Sequence, residues 1–145
     1  MGKYKGFTIV ELLIVIVVIS ILAVITMTAF NGIQASARDT ERRTDIRQLA
    51  QQLEVYHSDN GFYPLFSQLS SSSWRAANMP SVKDGLVTPP GRATPGIFNV
   101  TSPTISQYGY YTVNSCVNGQ CAKYRLLWRS EVTNQIETHI GATGL

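Results

Sequence analysis

The chain has 145 residues, with 12 Lys or Arg against 9 Asp or Glu, for a formal net charge of +3. That length holds one small domain plus an anchoring element and excludes a large multidomain enzyme. Two of the positive charges, Lys3 and Lys5, precede a long apolar run; a chain starting after them carries only +1, so the basic composition carries little weight as an argument for nucleic-acid binding.

From Phe7 to Phe30, 24 residues contain one formally charged side chain, Glu11, in a background of Ile, Val, Leu and Ala. About 20 such residues suffice to cross a bilayer as a helix. Lys3 and Lys5 hold the amino end in the cytoplasm by the positive-inside rule and send the carboxyl domain outward. The expectation is a single-pass cytoplasmic (inner) membrane precursor with an extracytoplasmic head, where a disulfide between Cys116 and Cys121 persists.

Three readings of this amino terminus compete: a plain membrane anchor, a secretory signal cut at Ala35-Ser36-Ala37, and a prepilin leader cut ahead of the apolar run. A signal peptide has an apolar region of only ~7–15 residues, and the run here is longer and contains Glu11. The stretch Lys5-Gly6-Phe7-Thr8-Ile9-Val10-Glu11-Leu12-Leu13-Ile14-Val15-Ile16 resembles the type IV pilin and pseudopilin family. The resemblance implies that a prepilin peptidase cuts between Gly6 and Phe7 and methylates the amino group of Phe7. It also implies that Glu11 pairs with the Phe7 amine of a neighbouring subunit during assembly. Glu11 is expensive in a membrane unless paired, and its own chain offers no cation beyond Lys5. Two positions depart from the family: Ser20 and Thr28 stand where many relatives have glycine and proline, residues that break helices more strongly.

Past Phe30 the pattern becomes amphipathic. Ile46, Leu49, Ala50, Leu53 and Tyr56 share one helical face, while Asp39, Glu41, Arg42, Arg43, Asp45 and Arg47 take the other positions. Asn60-Gly61 and Pro64 stop the helix. A helix from Phe7 to Asp59 has 53 residues and extends roughly 80 Å. Residues 67–104, rich in Ser, Pro, Gly and Thr, read as an irregular exposed connection. Within it, Asn99-Val100-Thr101 fits a glycosylation sequon too short to carry weight.

Strands follow. Asn118-Gly119 is a two-residue hairpin signal. Counting outward from it pairs Val117 with Gln120 and Cys116 with Cys121, a non-hydrogen-bonded pair about 4.5 Å apart at Cα. The same register sets Val113 opposite Tyr124, Tyr111 opposite Leu126 and Gly109 opposite Trp128 on the core face, with Trp128 covering Gly109. Asn114–Lys123, Thr112–Arg125 and Tyr108–Arg129 then face water. Residues Ile136 to Ile140 suit either a third strand or a helical turn.

No metal-ligand spacing surrounds His57 or His139, and there is no phosphate loop or nucleophile motif. No catalytic residue, metal or cofactor is expected. Arg38, Arg42, Arg43 and Arg47 fit a solvated face balanced by acids better than a DNA-binding strip. The expected fold is α+β: a leader (1–6), a transmembrane and filament-core helix (7–30), its amphipathic half (31–60), and a head (61–145) with the irregular loop and a small antiparallel sheet. The expected function is a structural subunit of a type IV pilus-like filament for adhesion, twitching motility or DNA uptake, ending as an extracellular filament at the cell surface. Its partners would be other copies of itself, the peptidase, the pilus assembly machinery and membrane lipid. The alternative is a pseudopilin of a type II secretion-like system. The family's secretion members often bind calcium in an acidic carboxyl-terminal loop, and the last 25 residues here hold only Glu131 and Glu137. A more remote alternative is a binding module secreted after cleavage behind Ala37.

Overall fold

A computed structural model describes residues 6–113, 116 and 119–141. The chain divides into two units, residues 1–35 and 36–145. Helix α1 (Ile9–Asn60, 52 residues) provides the regular structure of the first unit and the first element of the second.

In the first unit α1 is apolar on every side and its large side chains are exposed: Ile9 is 84% exposed and Ile33 is 67% exposed. Such an Ile- and Val-rich run is a mediocre helix former in water. In hydrocarbon, a helix satisfies every backbone N–H and C=O within one segment. Among the described residues, α1 is the one helix long and apolar enough to cross a membrane. The hydroxyl of Ser20 donates to the Ile16 carbonyl at 2.7 Å and that of Thr26 to the Leu22 carbonyl at 2.8 Å. Both polar groups are thus absorbed by the helix backbone, and α1 passes through residues 20–28 without a break.

In the second unit the stripe read from the sequence is buried: Ile46, Leu49, Ala50, Leu53 and Tyr56 pack into one core with Tyr63, Tyr108, Tyr110, Tyr124, Leu126 and Trp128. Each large apolar side chain buried this way stabilises the head by about 1.5–3 kcal/mol. The helix ends where Gly61 takes a left-handed φ of 81° and donates its N–H to the His57 carbonyl at 2.7 Å.

Between helix and sheet, the stretch expected to be irregular contains α2 (Phe66–Ser70), α3 (Ser72–Asn78) and a 3₁₀ turn at Asp84–Val87. The serine run proves to be a cap: the Ser71 hydroxyl accepts from the Trp74 N–H at 3.3 Å. Leu69 and Arg75 anchor the pair in the interior. Helices this short show no readable period.

The sheet is mixed, not purely antiparallel. β1 (Ile97–Phe98) lies parallel to β2 (Tyr108–Val113), which is antiparallel to β3 (Lys123–Arg129), which is antiparallel to β4 (Ile136–Ile140). Residues 136–140 therefore form a strand rather than a helical turn. Asn134 turns the chain between β3 and β4 with a φ of 56°, a conformation asparagine tolerates.

The hairpin register differs by one residue from the count. Tyr108 pairs with Trp128, Tyr110 with Leu126, Tyr111 with Arg125 and Val113 with Lys123. The slip turns β2 over, so Tyr108 and Tyr110 enter the core and Tyr111 and Val113 face outward. Two features enforce it. Cys121 forms its backbone bridge with Tyr63, whose N–H donates to the Cys121 carbonyl at 2.8 Å, so pairing near the turn does not continue evenly into β3. Burying Tyr108 and Tyr110 also lets their hydroxyls bond Asp45 (2.7 Å) and the Pro64 carbonyl (2.6 Å). The expected turn falls partly outside the described residues, as do Val117 and Asn118; Gly119 has a left-handed φ of 79°. The cysteine pairing holds: Cys116 and Cys121 are bonded, with Cα atoms 4.3 Å apart.

The residue opposite Gly109 is Leu127, not Trp128. A Cβ at Gly109 would come within 2.6 Å of the Val100 carbonyl oxygen, because the segment leading from β1 to β2 crosses there. Gly109→Ala must displace backbone and is expected to destabilise the head by about 1–3 kcal/mol, read as a lowered thermal midpoint by near-ultraviolet circular dichroism. An unchanged midpoint would contradict this placement of the 99–107 segment.

Candidate assembly site

α1 begins with a reciprocal cap. The Glu11 N–H donates to the Thr8 hydroxyl at 3.2 Å, while Glu11 Oε2 accepts from the Thr8 N–H and the Thr8 hydroxyl, both at 2.8 Å. This is a capping box, Thr at the cap and Glu three residues on. Its signature, Thr8-Ile9-Val10-Glu11, is legible in the sequence. An ionised carboxylate accepts through two oxygens; Thr8 occupies Oε2, and Oε1 receives no hydrogen bond among the described residues. Phe7 is 87% exposed just ahead of the cap. A Cβ at Gly6 would meet no atom of the described residues within 4 Å, so their packing does not demand glycine there.

A second cluster lies where the amphipathic half of α1 meets the turn after β3. Arg42 is 2% exposed. It donates to Asp39 Oδ1 at 2.8 Å, to Glu131 Oε2 at 3.2 Å and to the Ile105 carbonyl at 3.1 Å. Arg38 holds the same glutamate from the other side, at 2.9 and 2.5 Å. Asp39 also accepts from the Ser130 hydroxyl (2.6 Å) and from the N–H groups of Glu131 (2.8 Å) and Val132 (3.1 Å). The expectation that Arg38, Arg42, Asp39 and Asp45 form a solvated face is thus corrected. These charges tie α1 to the sheet, while Glu41, Arg43 and Arg47 are exposed. A DNA-binding strip built on Arg38 and Arg42 has no free guanidinium there.

Burial works to raise the Asp39 carboxyl, but the N–H and hydroxyl groups of Glu131, Ser130 and Val132, with Arg42, bring it below the usual carboxylate range. The Arg38 guanidinium, aided by Arg42, lowers Glu131 against a smaller effect of burial. Asp45 goes the other way: burial raises it despite the Tyr108 hydroxyl. His57 stacks on Tyr63, and His139 lies near Tyr124. Among the described residues, no group of three or more His, Cys, Asp or Glu side chains is placed to hold a metal ion.

An amino-terminal helix that is apolar throughout its first half, leading into an α+β head, is a pilin-like architecture. Residues 1–27 match the prokaryotic N-terminal methylation motif. Over about half its length the chain is similar to the type II secretion system core protein G. It is 33% identical to that protein from Escherichia coli (strain K12) over 78 residues, 54% of each chain. It is 35% identical to the Vibrio cholerae protein over 68 residues, 47% of each. It is 33% identical to the Pseudomonas aeruginosa protein over 66 residues, 46% of each. The chain therefore spans about half the length of the curated relatives it matches. No solved structure gives a significant match. The apolar helix and the motif fit a membrane-anchored precursor.

A carboxyl with a folded-state pKa below its unfolded value stabilises the fold fully above the ordinary carboxylate range, near 4, and loses that contribution as pH falls through the folded value. Asp39 and Glu131 act in this sense. Glu131→Gln should lower head stability at neutral pH by about 1–3 kcal/mol, since it leaves Arg42 buried with one ionic partner fewer. It should also flatten the fall in thermal midpoint below pH 4, while Asp45 titrates alike in both proteins. Thermal melts of the full chain in non-ionic detergent between pH 7 and pH 3 check this. Parallel pH profiles would refute the assignment.

Proposed function

We propose that this chain is a prepilin of the pseudopilin kind. On this reading the peptidase cuts between Gly6 and Phe7, Phe7 is methylated, and the mature subunit is drawn from the membrane into a homo-oligomeric filament by a type II secretion-like assembly machinery. The similarity to core protein G over half the chain carries the secretion reading ahead of a pilus for adhesion, twitching or DNA uptake. One observation favours the pilus. Glu131, one of two acids in the last 25 residues, is engaged by Arg38 and Arg42 rather than open to a cation. The proposed role is structural, with no catalytic residue of its own.

Deleting the gene in its native host separates the two. A pseudopilin is expected to leave secreted proteins stranded in the periplasm with surface pili and twitching intact; loss of pili with normal secretion would replace this reading with the pilus one. Amino-terminal mass spectrometry should find the mature chain starting at methylated Phe7, and Gly6→Val should leave an uncut membrane precursor. A mature chain starting at Arg38 would instead support the secreted module.

Glu11 is proposed to pair with the Phe7 amine of an adjoining subunit. Glu11→Gln isolates the charge, because glutamine also serves a capping box. Insertion, cleavage and head folding should survive, while subunit accumulates in the membrane and sheared filaments fall well below wild type. Normal filaments built from the variant would show that the register is set by helix packing alone.

A further inference from the structure

Strand residues alternate between the two faces of a sheet. Tyr124, Leu126 and Trp128 of β3 are buried in the core, so Lys123, Arg125, Leu127 and Arg129 belong to the opposite, outer face. The chain covers one half of that face with its own backbone. Val100 lies over Gly109, Leu127 is buried, and Arg129 donates to the carbonyls of Pro103 at 3.0 Å and Asn134 at 2.8 Å.

The other half is treated differently. There Tyr111, Arg125 and Ile140 lie side by side across β2, β3 and β4, with Lys123 next along β3. Ile140 is 54% exposed. Arg125 is half-buried, yet its Nε is buried without a hydrogen-bond partner, and Nη1 reaches only the Tyr111 hydroxyl, at 3.4 Å. Among the described residues neither Lys123 nor Arg125 has a carboxylate partner. Arg75 leaves its Nε unpaired in the same way, but it, like Arg38, Arg42, Arg92 and Arg129, also donates to a carboxylate or a carbonyl. A buried N–H left unpaired costs free energy, more so when the group is charged.

We propose that this half of the sheet, which the described residues leave partly exposed, docks an extended acidic segment of another protein. One carboxylate meets the terminal nitrogens of Arg125, a second meets Lys123, and an apolar neighbour packs on Ile140. Charge complementarity selects the occupant: among the described residues the patch has two cations, no acid and an exposed isoleucine. Nucleic acid draws its affinity from many phosphate contacts, which two cations beside an apolar side chain do not supply. The surface is independent of whether the filament is a pilus or a pseudopilus.

The test uses the full chain in non-ionic detergent micelles and a fluorescein-labelled alternating Glu-Leu peptide, followed by anisotropy. Saturable binding is expected, weakened about tenfold by Arg125→Gln, the scale of one charge-assisted hydrogen bond. Binding should be unaffected by Arg43→Gln on the exposed face of α1, and an alternating Lys-Leu peptide should not bind. In the wild type, the Arg125 side-chain N–H resonance should shift as the acidic peptide is added, a readout that does not depend on the variant folding. The proposal is overturned by non-saturable binding, by tighter binding of oligothymidylate, or by equal loss in Arg43→Gln. It is also overturned if Arg125→Gln abolishes self-association of the chain, which would make a second copy the occupant.

Discussion

Arg42 is a full charge almost removed from water, and the head is arranged so that it is never alone. Desolvating an ion costs several kcal/mol unless partners replace its hydration. Here Asp39 comes from one turn earlier on α1, Glu131 from the turn after β3, and the Ile105 carbonyl from the segment between β1 and β2. Three parts of the chain far apart in sequence must meet at one guanidinium, so the hydrophobic stripe on α1 is not left to choose its own depth or rotation against the sheet. Apolar packing alone tolerates small slides; a fork of fixed geometry does not.

The same requirement recurs as tyrosine hydroxyls. Tyr63 and Tyr124 both reach Glu54, Tyr108 reaches Asp45 and Tyr110 reaches the Pro64 carbonyl. Each ring adds apolar area to the core, and each hydroxyl must find an acceptor or bear the cost of burial. Acceptors on α1 and just beyond it therefore dictate which face of β2 turns inward. The disulfide acts at the other end of the same strands: with Cys121 bridged to Tyr63, the segment leaving α1 and the segment entering β3 are held together.

This explains which parts of the fold were legible. The apolar half of α1, its stripe and its stop at Asn60-Gly61 are local patterns, and the structure follows them to within a residue or two. The cysteine pair is also local, six residues from end to end. The register of β2 against β3 is not, because it depends on Tyr63, Pro64 and Asp45 claiming partners far along the chain. Counting from Asn118-Gly119 sees only the turn. Arg42 and Arg38 looked like surface residues because their acid, Glu131, lies 89 and 93 positions away. β1 has two residues and the helices after α1 have five and seven, too few for any period to emerge. The capping box at Thr8 and Glu11 is local too, a Thr-x-x-Glu spacing within one turn.

Glu11 and Arg42 are the same problem met twice on one helix, solved to different degrees. The chain completes Arg42 by itself, with two acids and a carbonyl, and that charge is thereby committed to structure. Among the described residues Glu11 is held through one oxygen only: Thr8 bonds Oε2 and keeps the carboxylate at the helix start, where the positive end of the dipole favours it. On the proposed reading, a half-satisfied acid in an apolar segment is tolerable enough for a single subunit to wait in a membrane. It is also improvable, so any state that brings a cation to Oε1 gains free energy that the isolated subunit lacks. On the proposed reading that cation is the amine created by cleavage before Phe7, which ties assembly to processing: an uncut chain has Gly6 and a peptide bond where the charge must be. Completing the acid from within, as the head does for Arg42, would remove the difference between the waiting and the assembled state.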